Sequence, residues 1–501
     1  MSISVLGQRD ALGVKGGQLF VDGTWSDGTA DTAWTHVHPA TNEDVVDFAV
    51  ASPDDVDRAV AAARRAFDEG PWPRMQARER KAVLMRVVEL VRRHADELNR
   101  LQVLDNGMPI TFTGLYAVGA DFVADVFEYH AGWVDKIAGD TLPTYTGTDS
   151  FVFTLKEPVG VVAAVIPWNA PLVLFANKVA PALATGCTIV LKPSEYASLT
   201  VLRMTQLLEE AGLPPGVFNL VLGPAEPAGE ALITHPGVDK ITFTGSRPVG
   251  TRVLEASAPG IKRVSLELGG KSPNLVFADC PSLDVAAMTA FGMVTMGLSG
   301  QGCVCHTRAL VERSIYDEFL DKAQLLLGMI KMGDPFDPAT TSGPIINKRQ
   351  VEKIVGYIAS GQEQGARLVT GGDRPDGDLA DGNFVNPTLF ADVDNSMRIA
   401  REEIFGPVLS VIGFDTEEEA VRIANDSDYG LGAGVQTSNV ARALRVSRRL
   451  RTGTVGVNTF SVLPNAPFGG YKGSGLGREH GPQVLDAFLE TKTVTIDTPA
   501  G

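Results

Sequence analysis

Between residues 158 and 268, short apolar runs alternate with helical patterns, and this alternation constrains the fold more than any other feature of the chain. The runs are 161–166, 188–191, 217–221, 240–243 and 264–268. Each ends in small or polar residues, and segments of helical periodicity such as 199–211 lie between them. Buried strands joined by crossover helices produce this pattern, so it predicts an α/β fold with a parallel, doubly wound sheet. A second α/β region is expected over residues 269–470, with Gly- and Pro-rich joints near 269–273 and 464–475. No period typical of stacked repeats is present.

The first part of the chain reads as strands, then helices. Residues 18–25 predict a hairpin with Asp22-Gly23 as its turn. Ser52-Pro53-Asp54-Asp55 is a helix start: Ser52 as N-cap, Pro53 in the first turn, acids beside it. Val56, Val60, Ala63 and Phe67 then share one face, and Gly70-Pro71 stops the helix. A long amphipathic helix is expected from about 76 to 104, ended by Asn106-Gly107.

Composition narrows the function classes. The chain has 501 residues, enough for more than one domain, with 44% hydrophobic and 21% charged residues and a net charge of −16. That acidity argues against nucleic acid and anionic membrane as partners. The opening MSISVLGQRD lacks the charged and apolar regions of a secretory signal, and no apolar run approaches the ~20 residues of a spanning helix. Four cysteines, Cys187, Cys280, Cys303 and Cys305, do not make a disulfide framework, so a cytoplasmic setting is expected.

Ligands of open parallel sheets bind beyond the C-terminal ends of the strands. Those ends carry Pro167-Trp168-Asn169 after Ile166, Lys192-Pro193-Ser194-Glu195, Gly223-Pro224, Thr244-Gly245-Ser246, and Glu267-Leu268-Gly269-Gly270. The placement points to a nucleotide site. Gly245 to Gly250 lacks the G-x-G-x-x-G spacing: it is either an ordinary turn, or Ser246 and a helix N-terminus that receive a pyrophosphate. Gly270-Lys271-Ser272 ends like a P-loop, but the first glycine would fall at Ser265, which rejects that reading. Lys192 and Glu195 are either a surface pair or a clamp on a ribose. Glu267 either caps backbone or is poised as a base, its pKa raised by burial. Cys303 and Cys305 are the only close cysteines. A metal reading with His306 fails for want of a second spaced cluster, so no metal is expected.

Taken together, the segments 157–172, 181–195, 243–250, 266–273, 300–303, 402–408 and 467–479 resemble the NAD(P)-dependent, non-phosphorylating aldehyde dehydrogenase superfamily, in its order and spacing. The resemblance runs from about residue 18 to 495. It implies that Cys303 is the nucleophile of a thioester route, Asn169 the side-chain donor of the oxyanion hole, and Glu267 the base that activates water. Lys178 and Glu479 match proton-relay positions. NAD is the implied cofactor, preferred to NADP. Lys192, Ser194 and Glu195 would hold the adenosine ribose, and Ser246 the pyrophosphate with Gly223 and Gly245 nearby. Ile166, Pro167, Trp168 and Leu268 would line the cofactor cleft, with Glu403 on the nicotinamide ribose and Phe405 beside the ring.

The sequence also departs from the family pattern. Met296, Gly297 and Leu298 stand where an Asn and aromatics are common, Asn177 replaces a Trp, Ala170 an aromatic, and Cys305 an Ala. These changes touch the substrate tunnel, for which Ala170, Leu174, Asn177, Met296, Leu298, Leu463 and Phe468 are candidates. They favour a medium or bulky apolar aldehyde; a broad-specificity enzyme is the alternative, with a CoA-acylating or non-catalytic relative further away. The resemblance implies a cofactor domain (1–140 and 159–268), a catalytic domain (269–478) and an oligomerisation element (141–158 and 479–501), assembled as a homodimer or homotetramer.

Overall fold

The computed structural model describes residues 5–115, 117–145 and 150–497. All five apolar runs are strands, Val161–Ile166, Thr188–Pro193, Phe218–Leu220, Lys240–Thr244 and Arg263–Glu267, paired in parallel within one eight-stranded sheet. Their spatial order, by position in the chain, is third, second, first, fourth, fifth. The order reverses beside Val161–Ile166, which pairs with Thr188–Pro193 on one side and Lys240–Thr244 on the other. A crevice opens at such a reversal, beyond the C-terminal strand ends.

The three outer strands of this sheet are antiparallel, a feature the βαβ pattern does not anticipate. Leu19–Val21 and Thr24–Ser26 form the expected hairpin, with Asp22 at φ 53° and Gly23 at φ 76° in its turn. On the other edge Gly475–Leu476 pairs with Arg263–Glu267. The chain therefore returns from the second α/β region to the first sheet. Six of the seven strands in the second sheet run in parallel, and Arg367–Thr370 closes one edge antiparallel.

Local chemistry explains the helix positions. Ser52 caps Pro53–Asp68 by accepting the Asp55 N–H, and Asp55 accepts the Ser52 N–H in return. Helix Leu199–Glu210 starts where the buried Asp105 carboxylate accepts the N–H groups of Leu199 and Thr200, each at 2.8 Å. The single helix expected from about 76 to 104 is two, Ala77–Arg93 and Ala95–Asn106. His94 breaks it at φ −103°, ψ 19°, its ring held by Glu97 at 2.8 Å and by Arg203 at 3.2 Å. Gly107, at φ 73°, ends the second helix as expected.

Strand Ser150–Pro158 pairs antiparallel with Leu489–Asp497 over nine positions, and Thr141–Leu142 adds a third strand. Residues 146–149 and 498–501 of the predicted oligomerisation element lie outside the described residues. No helix among the described residues is long and apolar enough to cross a membrane.

Candidate active site

The reversal point of the first sheet opens into a cavity of about 340 Å³. Its walls come from separated segments of the chain, among them the strand ends at Pro167-Trp168-Asn169, Thr244-Gly245-Ser246 and Glu267-Leu268-Gly269, the loop around Cys303, and Glu479-His480. Of the predicted residues, Cys303, Glu267, Asn169, Glu479, Pro167, Trp168, Gly245, Ser246, Leu268, Glu403 and Phe405 line it, as do Ala170, Leu174, Asn177, Leu298 and Phe468.

Two glycines let the reacting groups approach. A Cβ at Gly269 would overlap the Glu403 carboxylate, and one at Gly270 would stand 2.6 Å from the Cys303 carbonyl oxygen. With no side chain at either position, the Gly270 N–H donates to Glu403 Oε1 at 3.0 Å. The end of strand Arg263–Glu267 thereby holds both the Glu403 segment and the nucleophile loop. Phe405, at φ 60°, turns its ring edge-on to Trp168 with centroids 5.5 Å apart.

Asn169 Nδ2 donates to the Gln301 carbonyl at 3.0 Å, so its amide lies against the loop that carries Cys303. Asn106 fixes that segment from behind, donating to the carbonyls of Trp168 and Asn169, each at 3.1 Å. Cys303 is half-buried. Burial, then the Glu403 and Glu267 carboxylates, push its thiol above the ordinary range, so the resting side chain is a neutral thiol.

Glu267 is buried, and its Oε2 has no hydrogen-bond partner. That oxygen caps no backbone. Burial, with Glu479 second, raises its pKa well above 4.5 against the opposing charges of Lys178 and Arg478. Lys178 lies behind the wall, fully buried and ion-paired with Glu479. Asn177 donates to the other Glu479 oxygen at 3.0 Å.

The predicted cofactor residues Ile166, Lys192, Ser194, Glu195 and Gly223 are outside the lining. Ile166 accepts the Ser194 N–H at 2.8 Å, joining two strand ends. Lys192 is buried, with its Nζ on the Pro193 carbonyl at 2.9 Å, and burial lowers its pKa to about 8. It is therefore not a surface pair with Glu195. Gly223 is at φ 122°, packed against Val50. Ser246 is the N-cap of Arg247–Ser257, and its hydroxyl caps nothing. Two tunnel candidates stand elsewhere. Leu463 is 44% exposed and does not line the cavity, where its neighbour Val462 does. Met296 ends the short helix Met293–Thr295 outside the lining.

Sequence reasoning missed Gln350, Lys353, Val118, Val173 and His480, all in the wall. Gln350 and Lys353 lie on helix Lys348–Glu363. Lys353 faces Glu403, and burial lowers its pKa. An amphipathic pattern gives the helix but not which of its polar residues turns inward.

A profile of the aldehyde dehydrogenase family matches residues 25–494. The chain belongs to the aldehyde dehydrogenase family. Aldehyde dehydrogenase 1 of Tanacetum cinerariifolium is 44% identical over 97% of this chain and 96% of its own length. The human mitochondrial aldehyde dehydrogenase is 44% identical over 96% of this chain and 92% of its own. Among solved structures of the family, betaine aldehyde dehydrogenase of Staphylococcus aureus in complex with NAD+ superposes with a TM-score of 0.96, at 37% identity, over 99% of this chain and 98% of that one. The NAD+ complex of aldehyde dehydrogenase from Bacillus cereus has a TM-score of 0.94 at 39% identity, over 99% of this chain and all of its own.

Proposed function

We propose that this chain oxidises a neutral, largely apolar aldehyde to the carboxylic acid with NAD, through a thioester on Cys303. The observation that carries the reading is one cavity lined by a cysteine, an amide held against the cysteine's loop, and a buried carboxylate with an unpartnered oxygen.

The residues at the reversal point fit the dinucleotide. The N-terminus of Arg247–Ser257, with the free Ser246 hydroxyl, suits the pyrophosphate. Lys192 and Glu195 suit the adenosine ribose; the Trp168–Phe405 pair and Glu403 suit the nicotinamide end. Bound there, NAD supplies the hydride acceptor. The chain's own residues do the rest. Cys303 gives its proton to solvent water, and the thiolate adds to the carbonyl carbon. The Asn169 amide and the Cys303 N–H donate to the resulting oxyanion. After hydride loss leaves the thioester, Glu267 takes a proton from water, which attacks the acyl carbon and releases Cys303 and the acid. Glu479 and Lys178 lie next to Glu267 and suit proton exit.

The substrate walls, Val118, Ala170, Val173, Leu174, Leu298 and Val462, are aliphatic, and each buried methylene of a ligand contributes about 0.8 kcal/mol. The Trp and Phe rings on the cavity are Trp168, Phe405 and Phe468, with the first two edge-on to each other, so we read no cage for a quaternary ammonium. We therefore expect betaine aldehyde, the substrate in the name of the Staphylococcus aureus neighbour, to be poor here. The two large sheets suit a cofactor domain over 1–140 and 159–268 and a catalytic domain over 269–478, apart from Gly475–Leu476, which joins the first sheet, and the strand pair Ser150–Pro158 with Leu489–Asp497 suits an oligomerisation element over 141–158 and 479–501. Leu142, Phe151, Leu155 and Ile496 expose apolar side chains on the last, as an arm covered in a homodimer or homotetramer would.

The test is NADH formation across linear aldehydes, benzaldehyde, branched terpenoid aldehydes, succinic semialdehyde and betaine aldehyde. The reading requires the highest kcat/KM on an uncharged aldehyde. An optimum at either charged substrate overturns it.

A further inference from the structure

Two uncharged polar side chains of the cavity wall take no part in the chemistry above. His480 and Asn177 both line the cavity, and they are 2% and 6% exposed. Neither His480 nitrogen has a hydrogen-bond partner, and neither does Asn177 Oδ1. Buried polar atoms without partners cost free energy, about 1–3 kcal/mol each, and native proteins keep few of them outside functional sites.

Neighbouring groups hold both side chains in place. Asn177 Nδ2 donates to Glu479 Oε2 at 3.0 Å, which fixes the amide, since turning it over would set two oxygens together. Oδ1 is therefore the atom left free. The His480 ring meets Phe122 edge-on at 5.6 Å and Phe468 at 6.2 Å between centroids. The charges that act on the ring are those of Glu479 and Lys178, already paired with each other, and burial holds its pKa near 4, so the imidazole is neutral at working pH. A neutral imidazole offers one N–H donor and one acceptor, and Asn177 adds an acceptor.

Resting on the aldehyde-oxidising reading above, we propose that His480 and Asn177 form a subsite for a hydroxyl group on the substrate, making a hydroxylated aldehyde the preferred class. A hydroxyl both donates and accepts, so it can give its proton to Asn177 Oδ1 and receive the His480 N–H. A carbonyl only accepts and leaves Asn177 Oδ1 bare. An ammonium only donates and leaves the imidazole N–H bare. A carboxylate brings a charge that neither neutral group compensates, beside Glu479 and Glu267.

The experiment compares kcat/KM for matched pairs: 3- and 4-hydroxybenzaldehyde against benzaldehyde, and ω-hydroxyaldehydes too long to cyclise against methyl-ended aldehydes of equal length. At least one hydroxylated member should exceed its partner by about tenfold or more, because a site built for a hydroxyl rejects the analogue that lacks it. His480→Leu should bring that ratio to one or below, and His480→Gln, which keeps a donor and an acceptor, should restore part of it. The ratio is read between two substrates on one enzyme, so partial loss of fold does not mimic the result. Wild-type ratios at or below one in every pair, or a preference untouched by His480→Leu, overturn the subsite. If no aldehyde in the panel yields NADH, the underlying oxidation itself is wrong.

Discussion

Asn169 donates its side-chain amide to the Gln301 carbonyl at 3.0 Å, two residues before Cys303. The donor proposed for the oxyanion is thus positioned by the loop that carries the nucleophile, and Asn106 fixes its backbone. Asn169→Ala should lower kcat by about 100- to 1000-fold, the usual cost of one oxyanion-hole donor, with a small change in the Kd for NAD. Steady-state kinetics with fluorescence titration of the cofactor checks this. A loss under tenfold would place the oxyanion elsewhere.

The two close cysteines have different surroundings. Cys303 lines the cavity, whereas Cys305 is packed in the core of the second α/β region with its Sγ 3.7 Å from the Met293 carbonyl. Cys303→Ala should abolish aldehyde oxidation and keep NAD binding, and Cys305→Ala should keep most of the activity. The reverse outcome would exchange the assignments. An oxidised Cys303 has a thiol two residues away, so mild peroxide should inactivate the wild type and reductant restore it. Cys305→Ala should recover less fully if that thiol protects Cys303 from further oxidation.

Glu267 couples stability to pH. Burial first, and Glu479 second, raise its carboxyl well above 4.5. A carboxyl raised on folding contributes its full stability below the unfolded value and loses it as pH rises through the folded one. Glu267→Gln has no such loss. Its Tm relative to wild type should therefore climb from about pH 4.5 upward and level off once wild-type Glu267 is ionised. Wild-type thioester hydrolysis should rise with pH over the same interval, while that of Glu267→Gln stays slow. Thermal melts across pH and single-turnover quench flow measure the two. A pH-independent Tm difference would contradict the raised pKa.

Cofactor choice follows from Glu195. A carboxylate there can accept a bond from a ribose 2′-hydroxyl and repels a 2′-phosphate. Burial lowers the pKa of the neighbouring Lys192 to about 8 and its Nζ is on the Pro193 carbonyl, which weakens it as a phosphate partner. kcat/KM should be higher with NAD than with NADP, and Glu195→Gln should narrow the gap. Equal efficiency in the wild type would contradict this.

Features that depend on neighbouring residues in the chain were legible in the sequence. Ser52-Pro53-Asp54-Asp55 starts its helix, Asp22-Gly23 turns its hairpin, and the five apolar runs are strands, three of which end at the cavity. Features set by distant residues were not. The break at His94 depends on Arg203, 109 residues away. The return of Gly475–Leu476 to the first sheet is a long-range pairing with Leu266 and Glu267 that two residues cannot signal. His480 reads as one more residue after Glu479; only Phe122 and Phe468, packed around it, make it a buried ring without partners. In the loop before Phe468, residue pattern alone did not decide whether Val462 or Leu463 turns inward, because no regular element fixes the alternation.

The central claim is that the acyl group is carried on Cys303 and released by Glu267. It is tested most directly by mixing Glu267→Gln with NAD and a good aldehyde substrate, quenching in acid within the first turnover, and weighing the Cys303 peptide by mass spectrometry. The account predicts a burst of NADH of about one equivalent per active site, matched by an acyl adduct on Cys303, followed by slow turnover. A burst with no adduct on Cys303, or with the adduct on Cys305, would contradict it.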